Sequence, residues 1–157
     1  MKIKLLVIGK TDDKNLNSLI EKYQKRLQHY VGFELEVIPD IKNVKNLSQT
    51  QQKEKEGELI LSKLSPTDQL ILLDEKGKEY NSVAFANYLQ KKMNSGIKQL
   101  VFVIGGPYGF SDTVYQKAMG KVSFSKMTFS HQMIRLFVVE QIYRGFTILK
   151  NEPYHHR

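Results

Sequence analysis

The chain alternates between two hydrophobic periods. Residues 2–9, KIKLLVIG, are a short apolar run that stops at a glycine, the pattern of a buried strand. In residues 14–30 the period changes: Leu16, Ile20, Tyr23, Leu27 and Tyr30 recur at helical spacing, and Asp12 or Asp13 can cap the start. FELEVIPD, 33–40, alternates with period two and stops near Pro39, as a strand does. Residues 48–64 predict a polar helix, with QQKEKEGE as its solvated face and Leu59, Ile60 and Leu64 turned inward. DQLILLDEKGKEY, 68–80, reads as a strand entering a Glu-Lys-Gly turn. Ser82 is placed to cap a helix to about Met93, with Val83, Ala86, Leu89 and Met93 inward. KQLVFVIGG, 98–106, is the most apolar strand, which places it centrally in a sheet. Ser111 caps a short helix to about Met119, KVSFSKMTF (121–129) begins as strand and ends as loop, and 131–151 form a last helix before the tail EPYHHR.

This βαβαβαβαβα rhythm predicts an α/β fold with a mainly parallel sheet and helices on both faces, built as one domain over residues 1–157. No repeat, low-complexity stretch or linker divides the chain. In the last helix Met133, Ile134, Leu136, Phe137, Val138, Val139, Ile142, Tyr143, Phe146, Ile148 and Leu149 cover more than one stripe. A helix apolar on most sides is buried on most sides. Either it is the central core helix of a monomer or it forms a homodimer interface, and the dimer is the expectation.

Composition narrows the chemistry. With no cysteine, disulfides, thiolate metal sites and cysteine nucleophiles are excluded. The N-terminal apolar run is too short for a signal peptide or a membrane span, so the expectation is a soluble, cytoplasmic protein without membrane contact. A net charge of +8 fits an anionic partner, nucleic acid first. From Asp112 onward, seven Lys or Arg face three acids, so the basic excess is concentrated there.

Two stretches carry candidate chemistry. The first is VFVIGGPYGFSD (101–112), a strand meeting Gly105, Gly106 and Gly109 before a helix start. It lacks the Lys-Ser/Thr of a phosphate loop, and its glycines do not fit the dinucleotide spacing. What remains is a plain turn or a loop holding a ligand by its backbone. In open α/β sheets ligands sit at the carboxyl ends of strands, which groups this loop with the ends of LILLDEKG and SFSKMTF. The second is the tail, where Pro153 stops the helix and Tyr154, His155, His156 and Arg157 follow. Such a tail is either frayed or an RNA contact, with a ring to stack and an arginine for phosphate. A metal site is not expected: His155 and His156 are adjacent in a tail, with no partner at helical spacing. No G-x-S-x-G elbow exists, so Ser130 and His131 read as helix-start residues.

LILLDEKGK, FVIGGPYG, SFSKMTFSHQMIRLFVVEQIYRGF and the terminal PYHHR together resemble, in order and spacing, the RlmH family (ribosomal RNA large subunit methyltransferase H), SPOUT-class enzymes. The resemblance spans the whole chain. It implies an α/β fold with a C-terminal trefoil knot, a homodimer, and S-adenosyl-L-methionine (SAM) as cofactor. It further implies N3-methylation of pseudouridine-1915 of 23S rRNA, in a large-subunit hairpin of the assembled ribosome. Carried over to this chain, the cofactor contacts fall on Leu73, Gly105, Phe124, Ser125, Lys126, Met127, Thr128 and Phe129. Tyr154, His155 and Arg157 become the catalytic candidates, supported by Arg135. The chain departs from the family pattern at Tyr108, Ser130 and Glu152, and an extra His156 moves Arg157 one place along. A non-catalytic RNA- or ribosome-binding protein of the same fold, and a nucleotide-binding α/β enzyme, are the competing readings.

Overall fold

A computed structural model describes residues 1–156; Arg157, one of the expected catalytic residues, lies outside the described residues. Strands and helices alternate as β1 (Lys2–Ile8), α1 (Lys14–Leu27), β2 (Gly32–Ile38), α2 (Gln49–Ser62), β3 (Gln69–Glu79), α3 (Ser82–Asn94), β4 (Gln99–Ile104), α4 (Asp112–Lys117), β5 (Gly120–Ser123) and α5 (Met133–Leu149). The sheet is parallel throughout in the order β2-β1-β4-β3-β5, so the most apolar strand, β4, is central. Among the described residues no helix is long and apolar enough to cross a membrane.

Strand alternation divides the core between the two faces of the sheet. Ile3, Leu5, Val7, Leu100, Phe102 and Ile104 pack with residues of α1, α3 and α5. Leu6, Leu70, Leu72, Val101 and Val103 face the other way, against Ile60 of α2 and Val114 of α4. Each such side chain, fully buried, contributes about 1.5–3 kcal/mol.

Three local expectations change. The cap of α3 is Asn81, whose Oδ1 accepts from the Ala84 N–H at 2.8 Å. Ser82 instead donates its hydroxyl to Gln141 Oε1 at 2.7 Å, tying α3 to α5. On α2 Leu59 is exposed, and the inward stripe is Glu56, Gly57 and Ile60. Gly57 lets α2 approach so closely that a Cβ there would sit 2.5 Å from Ser111 Oγ. Finally, β3 does not end at the Glu-Lys-Gly stretch. Its register against β5 breaks after Leu73 and resumes at Lys78, because Gly77 passes directly over the Lys121–Val122 backbone. Residues 74–77 are therefore pushed out as a bulge.

The other expected caps hold, Asp13 for α1 and Ser111 for α4, and Ser48 caps α2 without having been predicted to. Ser130 Oγ accepts from the Met133 N–H at 3.0 Å, a helix-start role.

Arg135, in the first turn of α5, is 1% exposed. Its Nη1 donates to Gly9 O (2.9 Å) and Thr11 Oγ1 (3.0 Å), its Nη2 to Ile8 O (2.8 Å), and its Nε to His131 O (3.1 Å). The guanidinium thus stitches the end of β1 to the start of α5. Removing it leaves buried carbonyls without donors, and a lysine, being a point charge, cannot span the same acceptors. Arg135→Met and Arg135→Lys are expected to lower the unfolding free energy by about 3 kcal/mol, read as a fall in urea midpoint at unchanged slope.

Candidate functional site

Three chain segments leave the carboxyl ends of β3, β4 and β5 on the same edge of the sheet. Between them lies an open cavity of about 510 Å³. The bulge within β3 supplies Asp74, Glu75 and Lys76 to its wall, the glycine loop supplies 105–110, and the segment after β5 supplies Phe124, Ser125 and 127–129. His131 and Ile134 close it from the start of α5. Leu73, just before the β3 bulge, Ile104 at the end of β4 and Val122 near the end of β5 give it an apolar floor.

Each segment has a local cause. Asp74 Oδ1 accepts from the Lys76 N–H at 2.9 Å, which closes the bulge, and Oδ2 accepts from the Tyr115 hydroxyl at 2.6 Å. The Tyr115 phenol is pushed up to about 12, by burial first and then by Asp74, with Asp112 adding to it. The glycine loop folds back on itself, Gly109 N–H donating to Gly106 O at 3.2 Å; φ of +82° at Gly109 is a conformation that favours glycine. Beyond β5, Ser125 Oγ accepts from the Met127 N–H at 2.9 Å, and the Phe124 ring is anchored in the core 5.4 Å from Phe85. Met127, Thr128 and Phe129 then form an exposed rim, with the Phe129 ring 5.3 Å from Phe137.

Behind the glycine loop lies Glu56 of α2, 3% exposed. Its Oε2 accepts from Gln52 Nε2 at 3.2 Å, while Oε1 has no hydrogen-bond partner. Burial pushes this carboxyl above the usual carboxylate range; Asp40 adds to the rise and Gln52 works against it.

Of the expected cofactor contacts, Leu73, Gly105, Phe124, Ser125, Met127, Thr128 and Phe129 all line the cavity. Lys126 does not: its side chain is 83% exposed and its Nζ lies 3.7 Å from Glu79. Arg135, expected near the reaction, is spent on β1. The tail is elsewhere too. It doubles back along α5, with Tyr30 donating to Glu152 at 2.5 Å, Tyr154 donating to Glu140 at 2.8 Å, and the His155 ring 3.1 Å from Arg144. Arg144 and Glu140 pair at 2.5 Å, and the Arg144 guanidinium covers the Tyr154 ring. Burial, with Tyr23 and Glu140, holds the Tyr154 phenol well above its ordinary value. Neither Tyr154 nor His155 reaches the cavity of its own chain.

Asp74, Tyr115, His131 and Ile134 also line the cavity without having been singled out. Asp74 had a signal, an acid directly after the apolar run LILL; Tyr115 had none.

Chemically the site offers backbone groups, an apolar floor and a charged side made of Asp74, Glu75 and Lys76. Among the described residues no group of three or more His, Asp or Glu could hold a metal. It suits a flat ligand with polar edges.

A family model described as "Predicted SPOUT methyltransferase" matches residues 1–155. A curated relative from Flavobacterium psychrophilum, named "Ribosomal RNA large subunit methyltransferase H", is 75% identical over 157 residues, covering 100% of both chains. Proteins of the same name from Flavobacterium johnsoniae and Parabacteroides distasonis are 74% and 67% identical, covering 100% and 99% of each chain.

Replacing Asp74 by Asn removes the charge that helps hold the Tyr115 proton. In Asp74→Asn the Tyr115 phenol is expected to titrate below about 12 but still above an ordinary tyrosine, since burial remains. Ring-carbon NMR of Tyr115 against pH checks this; an unchanged titration refutes the contact.

Proposed function

The chain belongs to the SPOUT methyltransferase family, within the group of ribosomal RNA large subunit methyltransferase H, and from that premise we propose that it is a SAM-dependent methyltransferase of 23S rRNA. Its target is N3 of pseudouridine-1915, in a large-subunit hairpin of the assembled ribosome. The observation that carries this reading is the convergence of three strand-end segments on one cavity with an apolar floor, backbone-rich walls and a charged side. The enzyme acts as a single cytoplasmic domain over residues 1–157, with its C-terminal part threaded as the family's trefoil knot.

The residues present fit the cofactor. Leu73, Ile104 and Phe129 offer apolar surface to adenine, and the backbone at Gly105 and along 124–129 offers donors and acceptors for its edge. Asp74 and Glu75 lie where positive charge is welcome. When bound, SAM supplies an activated methyl group and its own leaving group. What remains for the protein is alignment, exclusion of water and care of one proton.

That proton is on N3 of the pseudouridine and must leave as the methyl arrives. Tyr154, His155 and Arg157 are the candidates to handle it. A phenol held above its usual range stays protonated near neutrality, so Tyr154 serves as a hydrogen-bond donor. The imidazole of His155 is then the proton acceptor once its Nδ1, which faces Arg144 at 3.1 Å, is released, and Arg157 offsets the developing negative charge. Because Tyr154 and His155 do not line the cavity of their own chain, the enzyme works as a homodimer in which each tail serves the partner's cavity. The outer face of α5, where Met133 and Phe137 are exposed beside Phe129, is the surface on which the copies meet. The basic C-terminal segment provides the salt-sensitive part of RNA binding.

Labelled-methyl transfer from SAM to free 23S rRNA, separated subunits and whole ribosomes tests the reading. Label is expected in whole ribosomes; none in any substrate, with SAM still bound, would identify a non-catalytic RNA-binding protein. His155→Ala is expected to lower turnover about 100-fold while SAM affinity changes less than about twofold. Mixing His155→Ala with a cavity-blocked Gly105→Leu chain is expected to restore about a quarter of wild-type activity, because half of the randomly paired dimers then hold one intact site. No recovery on mixing would place the tail in its own chain's site.

A further inference from the structure

Glu56 is a costly residue where it stands. A carboxyl group that is 3% exposed, with one oxygen lacking a partner, is destabilising unless something depends on it. It does not line the cavity, so it is not a ligand contact. Its unpartnered oxygen is aimed at the glycine loop: a Cβ on Gly106 would lie 2.4 Å from Oε1 and 2.5 Å from Oε2. The φ of Gly106 is not in the left-handed region, unlike that of Gly109. Backbone conformation therefore does not require glycine at 106; the carboxyl beneath it does. Gly57, the next residue of α2, brings the helix close enough to deliver that carboxyl.

We infer that Glu56 is a positioning residue for the cofactor loop: wedged under Gly106, it sets the height of residues 105–109 and thereby the affinity of the cavity for SAM, without touching the ligand. This rests on the cofactor reading above. Shape does the positioning, so glutamine replaces glutamate and alanine does not. The loop acts on binding and leaves the proton-handling groups alone, so the effect falls on SAM affinity and the KM for SAM, not on kcat.

The experiment is calorimetric SAM binding and steady-state methylation for wild type, Glu56→Gln, Glu56→Ala, Gly106→Ala and the Glu56→Ala/Gly106→Ala double variant. Glu56→Gln is expected to bind SAM within about twofold of wild type. Glu56→Ala and Gly106→Ala each weaken binding and raise KM about tenfold, with kcat within about twofold. The double variant binds no more weakly than the weaker single variant, because the alanine at 56 makes room for the methyl at 106. Single variants that bind SAM as well as wild type overturn the inference, as do two losses that simply multiply or a fall in kcat alone. Should Glu56→Ala fail to fold, Glu56→Gln and Gly106→Ala still decide it by the same readouts. A wild-type chain that takes up no SAM defeats the cofactor reading and this inference with it, an outcome distinct from failure of the variants alone.

Discussion

One buried guanidinium fixes where the site is built. Arg135 lies within the core and is held by oxygen atoms at the end of β1 and the start of α5. Burying such a charge is expensive, and burial works to lower the pKa of Arg135, while Asp12 and Asp40 favour the charge. What offsets the cost is the chemistry of a strand end. Carbonyls that leave a sheet have lost their ladder partners, and a planar fork of donors satisfies several at once. The connection between β5 and α5 is thereby anchored at both ends, by sheet pairing at Ser123 and by Arg135 a turn into the helix. A segment pinned in this way can keep Met127, Thr128 and Phe129 exposed without losing the cavity they border.

The carboxyl edge of the sheet is shaped by close approaches that only residues without a side chain permit. Gly77 crosses the β5 backbone and turns what would be a simple strand end into a bulge facing the cavity. Gly106 rests on Glu56. The first sets Asp74, Glu75 and Lys76 into the cavity wall, and the second places backbone where a ligand would be gripped. A wall made of backbone groups reads the edge of a heterocycle without depending on any one side chain, while Leu73, Ile104 and Val122 below it read only a flat face.

The alternation of elements was legible because burial imposes its period directly: every strand and helix expected from the pattern is present, within a few residues of its predicted ends. The grouping of the three strand-end segments was legible from the parallel topology, and seven of the eight expected cofactor contacts meet in one cavity. The failures share a cause. Glu56 lies inside the charge run QQKEKEGE and was read as solvated, yet Gly57 beside it turns that part of α2 inward. Arg135 was expected to support the catalytic candidates, whereas its distant partners are the Gly9 and Ile8 carbonyls and the Thr11 hydroxyl, 124–127 residues away. Lys126, inside a motif that otherwise faces the cavity, turns out towards Glu79. Periodicity reports which side of an element faces the core; it does not report which polar groups a distant segment leaves unsatisfied.

The same limit applies to α5, and it explains the sense of a helix apolar on so many sides. One flank packs on α1, where Tyr143 meets Tyr23 and Tyr30; the other meets α3, where Gly145 lets the helices approach Leu89. The outer face still carries Met133 and Phe137 near its start, with Glu140 and Arg144 further along holding the tail. From Ile134 at the cavity to Glu140 is about 9 Å along the axis, at 1.5 Å per residue. Cavity and tail are thus neighbours of one exposed helical face rather than of each other. A second copy laid antiparallel on that face would exchange their positions. Each tail would then approach the opposite cavity, and the apolar side chains between would leave water. In the proposed homodimer the excess hydrophobicity of α5 and the separation of tail from cavity would have one explanation, a partner chain covering the helix and supplying its tail.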